Sequence, residues 1–270
     1  MIKRLLLLSI AAACLAPQAA WAWGPLTHMH FAHLLLWSVP LPNPAWLEAA
    51  RLYPHLVLSG SLLPDIALFS ALRTKHKQRF RTLHRWDTAL TLLDRGGDPR
   101  HTAIALGFTS HLVVDVIAHH HFVPEHEARW GKRLMLTHTV AEWAMDGHIA
   151  LQLPFQPGRS LEDSRDEGLR FLAGLDLPPA LTHKYFHYLR RSLGSLEKIG
   201  LADYCYRKLL ARDPQAGTRL QHYLHHTQAL LTRTMQAPHD GPHLYWNPDG
   251  SRAAAFATTP VLPGQPAETS

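Results

Sequence analysis

Gly107-Phe-Thr-Ser-His111-Leu-Val-Val-Asp115-Val-Ile-Ala-His119-His120-His121 is the stretch from which the fold of this 270-residue chain is read. It lies in the most apolar segment beyond the first 22 residues, and His111, Asp115 and His119 within it are spaced four apart. Residues four apart share one face of an α-helix, with Cβ atoms about 5–6 Å apart. His111 and Asp115 therefore point the same way, and His119 takes the next step along the stripe. A helix this rich in Leu and Val is expected to be central and buried, where an unpaired Asp is costly. A bound cation removes that cost. A plain hydrogen bond between the His and the Asp is the alternative.

Working outward, Leu- and Ala-rich segments with apolar residues three and four apart cover most of the chain, and strand signals are scarce. The spacing predicts helices over 27–39, 44–58, 84–95, 99–120, 134–152, 161–173, 178–195, 200–211 and 214–236. Breakers fall between them at Pro40 to Pro44, Gly96-Gly97-Asp98-Pro99, Pro154 to Pro157 and Pro178-Pro179. No internal repeat or linker divides the pattern. One all-α domain over 23–246 is expected, followed by a Pro-, Gly-, Ala- and Thr-rich tail, 247–270, read as poorly ordered.

Composition narrows the chemistry. Hydrophobic residues make up 46% and charged residues 18%, which excludes an unfolded chain. Histidine is the outlier at 21 of 270 residues, which points first to metal binding, because neutral imidazole is a zinc ligand. The net charge of +6 is mild. It favours anionic partners without identifying one. No basic run with interleaved aromatics marks a nucleic-acid groove, so no stable nucleic-acid partner is expected.

Residues 1–22 read as an export signal. Lys3 and Arg4 are the charged start, Leu5 to Ala16 is the apolar run, and Ala20-Trp21-Ala22 is the cleavage signal. The expected destination is the periplasm or the medium. Lipid attachment at Cys14 is the runner-up. Cleavage after Ala22 leaves Cys205 as the sole cysteine, so no internal disulfide can form, and bound metal is a candidate stabiliser.

Three further groups carry possible chemistry. His138-Thr-Val-Ala-Glu142 repeats the four-residue spacing, with Asp146 next on the stripe; a solvated ion pair is the plain alternative. Trp23-Gly-Pro-Leu-Thr-His28 would present a free α-amine beside a histidine. Such an amine ordinarily titrates at about 7.7–8.0, so it can shed its proton and bind a metal. The alternative is a frayed end with a helix cap at Thr27. Asp65, directly after Pro64, and His84 complete the set, with a helix cap and a surface histidine as their plain readings. His222, His225 and His226 read as surface residues. Trp37, Trp46, Trp86, Trp130 and Trp143 read as core, or as residues that dip into lipid.

Taken in order, W-x4-H, P-D, H, H-x3-D with trailing histidines, then H-x3-E resembles the zinc-dependent phospholipase C family, which shares an all-helical trinuclear zinc fold with the S1/P1 nucleases. The resemblance covers residues 23 to 146, and residues 150–270 add nothing to it. It implies three zinc ions. One would sit on His84, His111 and Asp115, with Asp65 as a further ligand or general base. A second would take the Trp23 amine and carbonyl, His28 and the shared Asp115. A third would take His138, Glu142 and one histidine of the 119–121 run. The implied activity is hydrolysis of a phospholipid phosphodiester by metal-activated water, with Asp65 and Asp115 as catalytic residues and membrane contact at the periphery. A single-strand nuclease and a non-enzymatic zinc protein are the alternatives.

Two departures from the family pattern stand out. In the phosphatidylcholine-cleaving members and the nucleases the third-site histidine follows the bridging Asp by six positions, past a proline. Here His121 has that spacing, but no proline intervenes before Pro124. A helix continuing at about 100° per residue keeps His119 near the Asp115 face and turns His121 away, which favours His119 and leaves His121 open. The phosphatidylcholine-cleaving members also place an aromatic after the Asp that matches Asp65, where this chain has Ile66.

Overall fold

Prolines punctuate this fold. Pro25, Pro44, Pro54, Pro99, Pro157 and Pro179 each open a helix, the position where a missing N–H forfeits no helical hydrogen bond. The computed structural model describes residues 24–70, 74–130, 136–151, 153 and 155–251, with side chains at all of these except 74, 75 and 136–138. Residues 1–23, which include the stretch read as an export signal, and residues 252–270 lie outside them. Among the described residues there is no strand, so the chain is all-α as expected.

The elements run α1 (Pro25–Trp37), α2 (Pro44–Leu52), α3 (Pro54–Gly60), α4 (Thr74–Phe80), α5 (Trp86–Asp94), α6 (Pro99–Ile117), α7 (Val123–Trp130), α8 (Leu136–Ala150), α9 (Pro157–Asp163), α10 (Arg165–Ala173), α11 (Pro179–Ile199), α12 (Leu201–Arg212) and α13 (Ala216–Gln236). Short 3-10 turns cover Leu63–Ser70, Arg81–His84 and Pro242–Tyr245, and a π turn covers Ala118–Phe122. Most predicted helices appear within a few residues, with three corrections. The helix expected over 44–58 is two helices, because Pro54 cannot continue α2, and the chain bends by 96° there. The helix expected over 161–173 is α9 and α10, broken at Ser164. The helix expected to reach residue 120 ends at Ile117 and gives way to the π turn, whose wider hydrogen-bonding loop resets the faces of the histidines that follow.

Helix α6 is the axis of the molecule. Asp98 caps it by accepting from the Arg100 N–H at 2.9 Å, and every residue from Thr102 to Ile117 is buried. The run Pro99–Trp130 is long and apolar enough to cross a bilayer, but 94% of its apolar window is buried inside the fold, so it serves as a core helix. Helices α1, α2, α3, α5, α10 and α13 pack around α6, while α8 lies along α12 and touches α1. Phe31, Phe108 and Phe122 are fully buried in this core, each worth about 1.5–3 kcal/mol of transfer free energy.

One crossing is unusually close. Where α3 meets α6, a Cβ at Gly107 would come within 2.0 Å of the Val57 carbonyl oxygen, and a Cβ at Gly60 within 2.5 Å of the Ile104 carbonyl oxygen. Only two facing glycines let these backbones approach so far. The crossing lies directly before Ser61 and one turn before His111, so it fixes the segments that carry the site.

The chain beyond α13 folds back over the start of α5, the π turn and the Arg81–His84 turn. Trp86 Nε1 donates to the Trp246 carbonyl at 2.8 Å, a His120 ring nitrogen lies 2.8 Å from the Asn247 carbonyl, and Arg81 pairs with Asp249 at 3.1 Å. Residues 247–251, which the sequence assigned to the tail, are thus part of the packed structure.

Candidate metal centre

Four separate segments deliver five side chains to one point. Helix α1 supplies His28, the turn Leu63–Ser70 supplies Asp65, the turn Arg81–His84 supplies His84, and α6 supplies His111 and Asp115. Asp115 is central. Its Oδ2 lies 3.1 Å from His111 Nε2 and 3.4 Å from His84 Nε2, and its Oδ1 lies 3.6 Å from His28 Nε2. Asp65 Oδ1 is 3.8 Å from His111 Nε2, and the two facing Nε2 atoms of His84 and His111 are 3.3 Å apart. The His28 and His111 rings stack at 3.8 Å with 15° between their planes. His28, His111 and Asp115 are fully buried, and Asp65 is 5% exposed.

Hydrogen bonding sets the direction of the lone pairs. His111 Nδ1 lies 2.7 Å from the Ser61 carbonyl oxygen, an acceptor only, so Nδ1 carries a proton and donates. In neutral imidazole that leaves Nε2 as a bare lone pair, aimed at two carboxylates and another ring nitrogen. Such an arrangement is repulsive unless a cation or a proton sits among these atoms. A backbone carbonyl holding the outer nitrogen of a histidine is also how metal-ligating imidazoles are oriented.

The proton affinities follow from the same crowding. Burial pushes the Asp65 carboxyl up to about 7, with Asp115 and Asp146 adding to the rise and His111 opposing it. Asp115 is raised by burial, against His111. Burial lowers His111, but Asp115 and Asp65 overcome it and hold this imidazole near 9. Burial and the neighbouring His111 and His119 keep His84 well below the ordinary histidine range. The centre thus gathers acids that resist ionising around one imidazole that holds its proton tightly, and a divalent cation can take that proton's place.

These residues fit zinc. His28, Asp65 and His111 have ligand atoms within 4.8 Å of one another, as do His84, His111 and Asp115. Nitrogen and carboxylate donors suit that ion. Both oxygens of Asp115 are buried and face imidazole nitrogens at 3.1–3.6 Å. A bound cation among these atoms would offset the cost of burying that charge.

The remaining expected ligands are placed as follows. Glu142 on α8 is 1% exposed, and His121 in the π turn is 7% exposed with Nε2 lacking a hydrogen-bond partner. His119 and His120 are only half-buried, and His119 packs against Gly250. Trp23 and the side chain of His138 lie outside the described residues. His222 and His225 are exposed.

Two features escaped the sequence reading. The Ser61 carbonyl is a backbone group and leaves no residue signature. Asp146, which spacing put on the stripe of His138 and Glu142, instead accepts hydrogen bonds from the Leu26 N–H, the Thr27 N–H and the Thr27 hydroxyl at 3.1, 2.9 and 2.7 Å. Helix α1 starts at Pro25, so Thr27 lies inside it and the cap comes from α8 across the fold. The one available hint was that Gly24-Pro25 opens a helix without any capping side chain.

A helical bundle whose central helix and three neighbouring segments converge on buried imidazoles and a shared carboxylate has groups that could hold metal ions. The family model of zinc-dependent phospholipase C matches residues 27–175, and the chain belongs to that family. No curated protein and no solved structure matches the chain.

Proposed function

We propose that this chain is an exported phospholipase of the C type, which hydrolyses a phospholipid phosphodiester at a centre of three zinc ions. The observation that carries the reading is the convergence of His28, Asp65, His84, His111 and Asp115 inside the segment matched by the family. These five would hold two ions, with the Trp23 amine and carbonyl joining His28. The third would take His138, Glu142 and a histidine of the π turn. Burial and the partnerless Nε2 support His121 over His119 for that place. Bound zinc would supply Lewis acidity toward the phosphoryl oxygens and a nucleophilic water near neutral pH.

The chain's own groups have distinct tasks. Asp115, its two oxygens facing different imidazoles, would be shared between the ions. Ser61 orients His111. Asp65, slightly exposed where Asp115 is not, would serve as a further ligand or as the base that takes a proton from water. Trp37, 74% exposed at the end of α1, supports contact with a lipid surface. A nuclease needs an aromatic face for a base, but Trp86 is buried against His243 and its indole N–H is engaged by Trp246. Export rests on the Lys3–Ala22 pattern and on the need for a free amine at Trp23.

An activity panel on the purified mature protein tests this. It compares phospholipids with varied head groups, single-stranded DNA and an aryl phosphodiester, with and without chelator, alongside zinc analysis. Two to three zinc per chain and chelator-sensitive release of diacylglycerol are expected. Cleavage of DNA alone, or no hydrolysis with full zinc, would overturn the assignment. Amino-terminal sequencing should begin at Trp23.

A further inference from the structure

Asp146 is fully buried, yet it spends its carboxylate on the first turn of α1, a segment 119 and 120 residues away in sequence. One oxygen takes the Thr27 N–H and hydroxyl, and the other takes the Leu26 N–H. A helix start offers N–H groups without intrahelical partners and a partial positive charge, so a carboxylate there holds strongly. The next residue is His28, whose ring stacks on His111 and whose Nε2 faces Asp115. Gly24 sits against the same carboxylate: a Cβ there would come within 2.3 Å of Asp146 Oδ2. Gly24, just ahead of the helix, therefore lies directly over Asp146.

We infer that Asp146 is a positioning residue for the metal centre: it fixes where the first turn of α1 lies, and so where His28 stands relative to Asp115. The inference rests on the zinc-centre reading above. It separates two neighbours on α8 that spacing alone makes look alike, since Glu142 is an expected ligand whereas Asp146 acts through α1. It also explains why a glycine stands at position 24, since any side chain there would displace the carboxylate that holds the turn.

The test is zinc affinity, measured by competition with a chromogenic chelator on the full mature protein, together with the thermal midpoint of the zinc-free form. Asp146→Asn keeps the shape but replaces an acceptor with a donor facing N–H groups. It should weaken the most sensitive zinc step by about 10–100-fold, the range for groups that orient ligands. Thr27→Val removes one of the three bonds and should weaken it less, while Thr27→Ser keeps the hydroxyl and should restore wild-type affinity. If Asp146→Asn does not fold, the Thr27 pair decides: equal affinities for Val and Ser overturn the inference. A lowered midpoint of the zinc-free protein with unchanged affinity also overturns it, because Asp146 would then be a helix cap and nothing more. A wild-type protein that binds no zinc removes the zinc reading itself, whereas normal zinc in both wild type and Asp146→Asn removes only the inference.

Discussion

The two halves of this chain contribute in opposite ways to one place. Residues 27–175, the part the family model matches, supply every described side chain of the centre. The part beyond supplies no ligand among the described residues, yet its last turn lies over the histidine run: the Trp246 ring stands 4.8 Å from His120 and 5.1 Å from His121, and Asp249 reaches Arg81 just ahead of His84. Metal chemistry demands particular residue types at particular spacings. A cover needs only to fill space and satisfy nearby polar groups, which many sequences can do. The difference explains why one half is legible as a family and the other is not.

That contrast can be broken by substitution. The largest effect is expected for Asp115→Ala, which removes the carboxylate at the middle of the matched half's cluster. Zinc content should collapse and hydrolysis should fall by more than about 100-fold, beyond what outer partners of a metal site cost. Retention of full zinc would dissolve the distinction between the halves. Stripping zinc from the wild type is next. A ligand present at about 100 times its Kd contributes about 2.7 kcal/mol, which for a domain of this size is a fall in Tm of about 5–10 °C. The shift should be reversed by added zinc and be of similar size in a Trp246→Ala variant.

Trp246→Ala sharpens the other side. The half-buried indole packs on two histidines and the main chain around it, so its loss should cost about 1–3 kcal/mol in a denaturant titration while zinc stoichiometry stays the same. A drop in zinc would mean that the cover is part of the ligand machinery. Acid offers a subtler probe. His243, beneath Trp86, is held down to about 4 by burial, against a helping Pro238 carbonyl. Between 6.5 and about 4 the unfolded chain binds this proton and the folded one does not. The contribution is thus complete above pH 6.5 and is lost as pH falls toward 4. His243→Gln in zinc-free protein should flatten the acid limb of the stability curve, and an unchanged limb would show that the His243 proton plays no part. Arg81→Ala should matter least, below about 1 kcal/mol, and less still in high salt, because the Arg81–Asp249 pair is half-exposed.

What the sequence made readable follows from periodicity. His111 and Asp115 meet because four residues make about one helical turn, and the all-α fold follows from apolar spacing repeated along the chain. Asp65 and His84 lie on 3-10 turns with no period to read, and only their order in the family pattern marks them. The π turn at Ala118–Phe122 was not legible, since its extra residue per turn reflects the packing around it and no local signal announces it. It is also the reason an extrapolated α-helix turns His121 outward when that side chain is in fact buried. Asp146 escapes for a related reason. Spacing reports which face a residue shares, but not what lies opposite that face.

The paired glycines at 60 and 107 carry a consequence for the whole centre. Ser61, which orients His111, and Asp65, which faces it, both follow Gly60 along the chain, while His111 itself stands one turn after Gly107. The spacing of the side-chain cluster is therefore set at a crossing to which none of its five residues belongs. A methyl group added at either glycine would act as a wedge, spreading apart the two walls that carry these side chains.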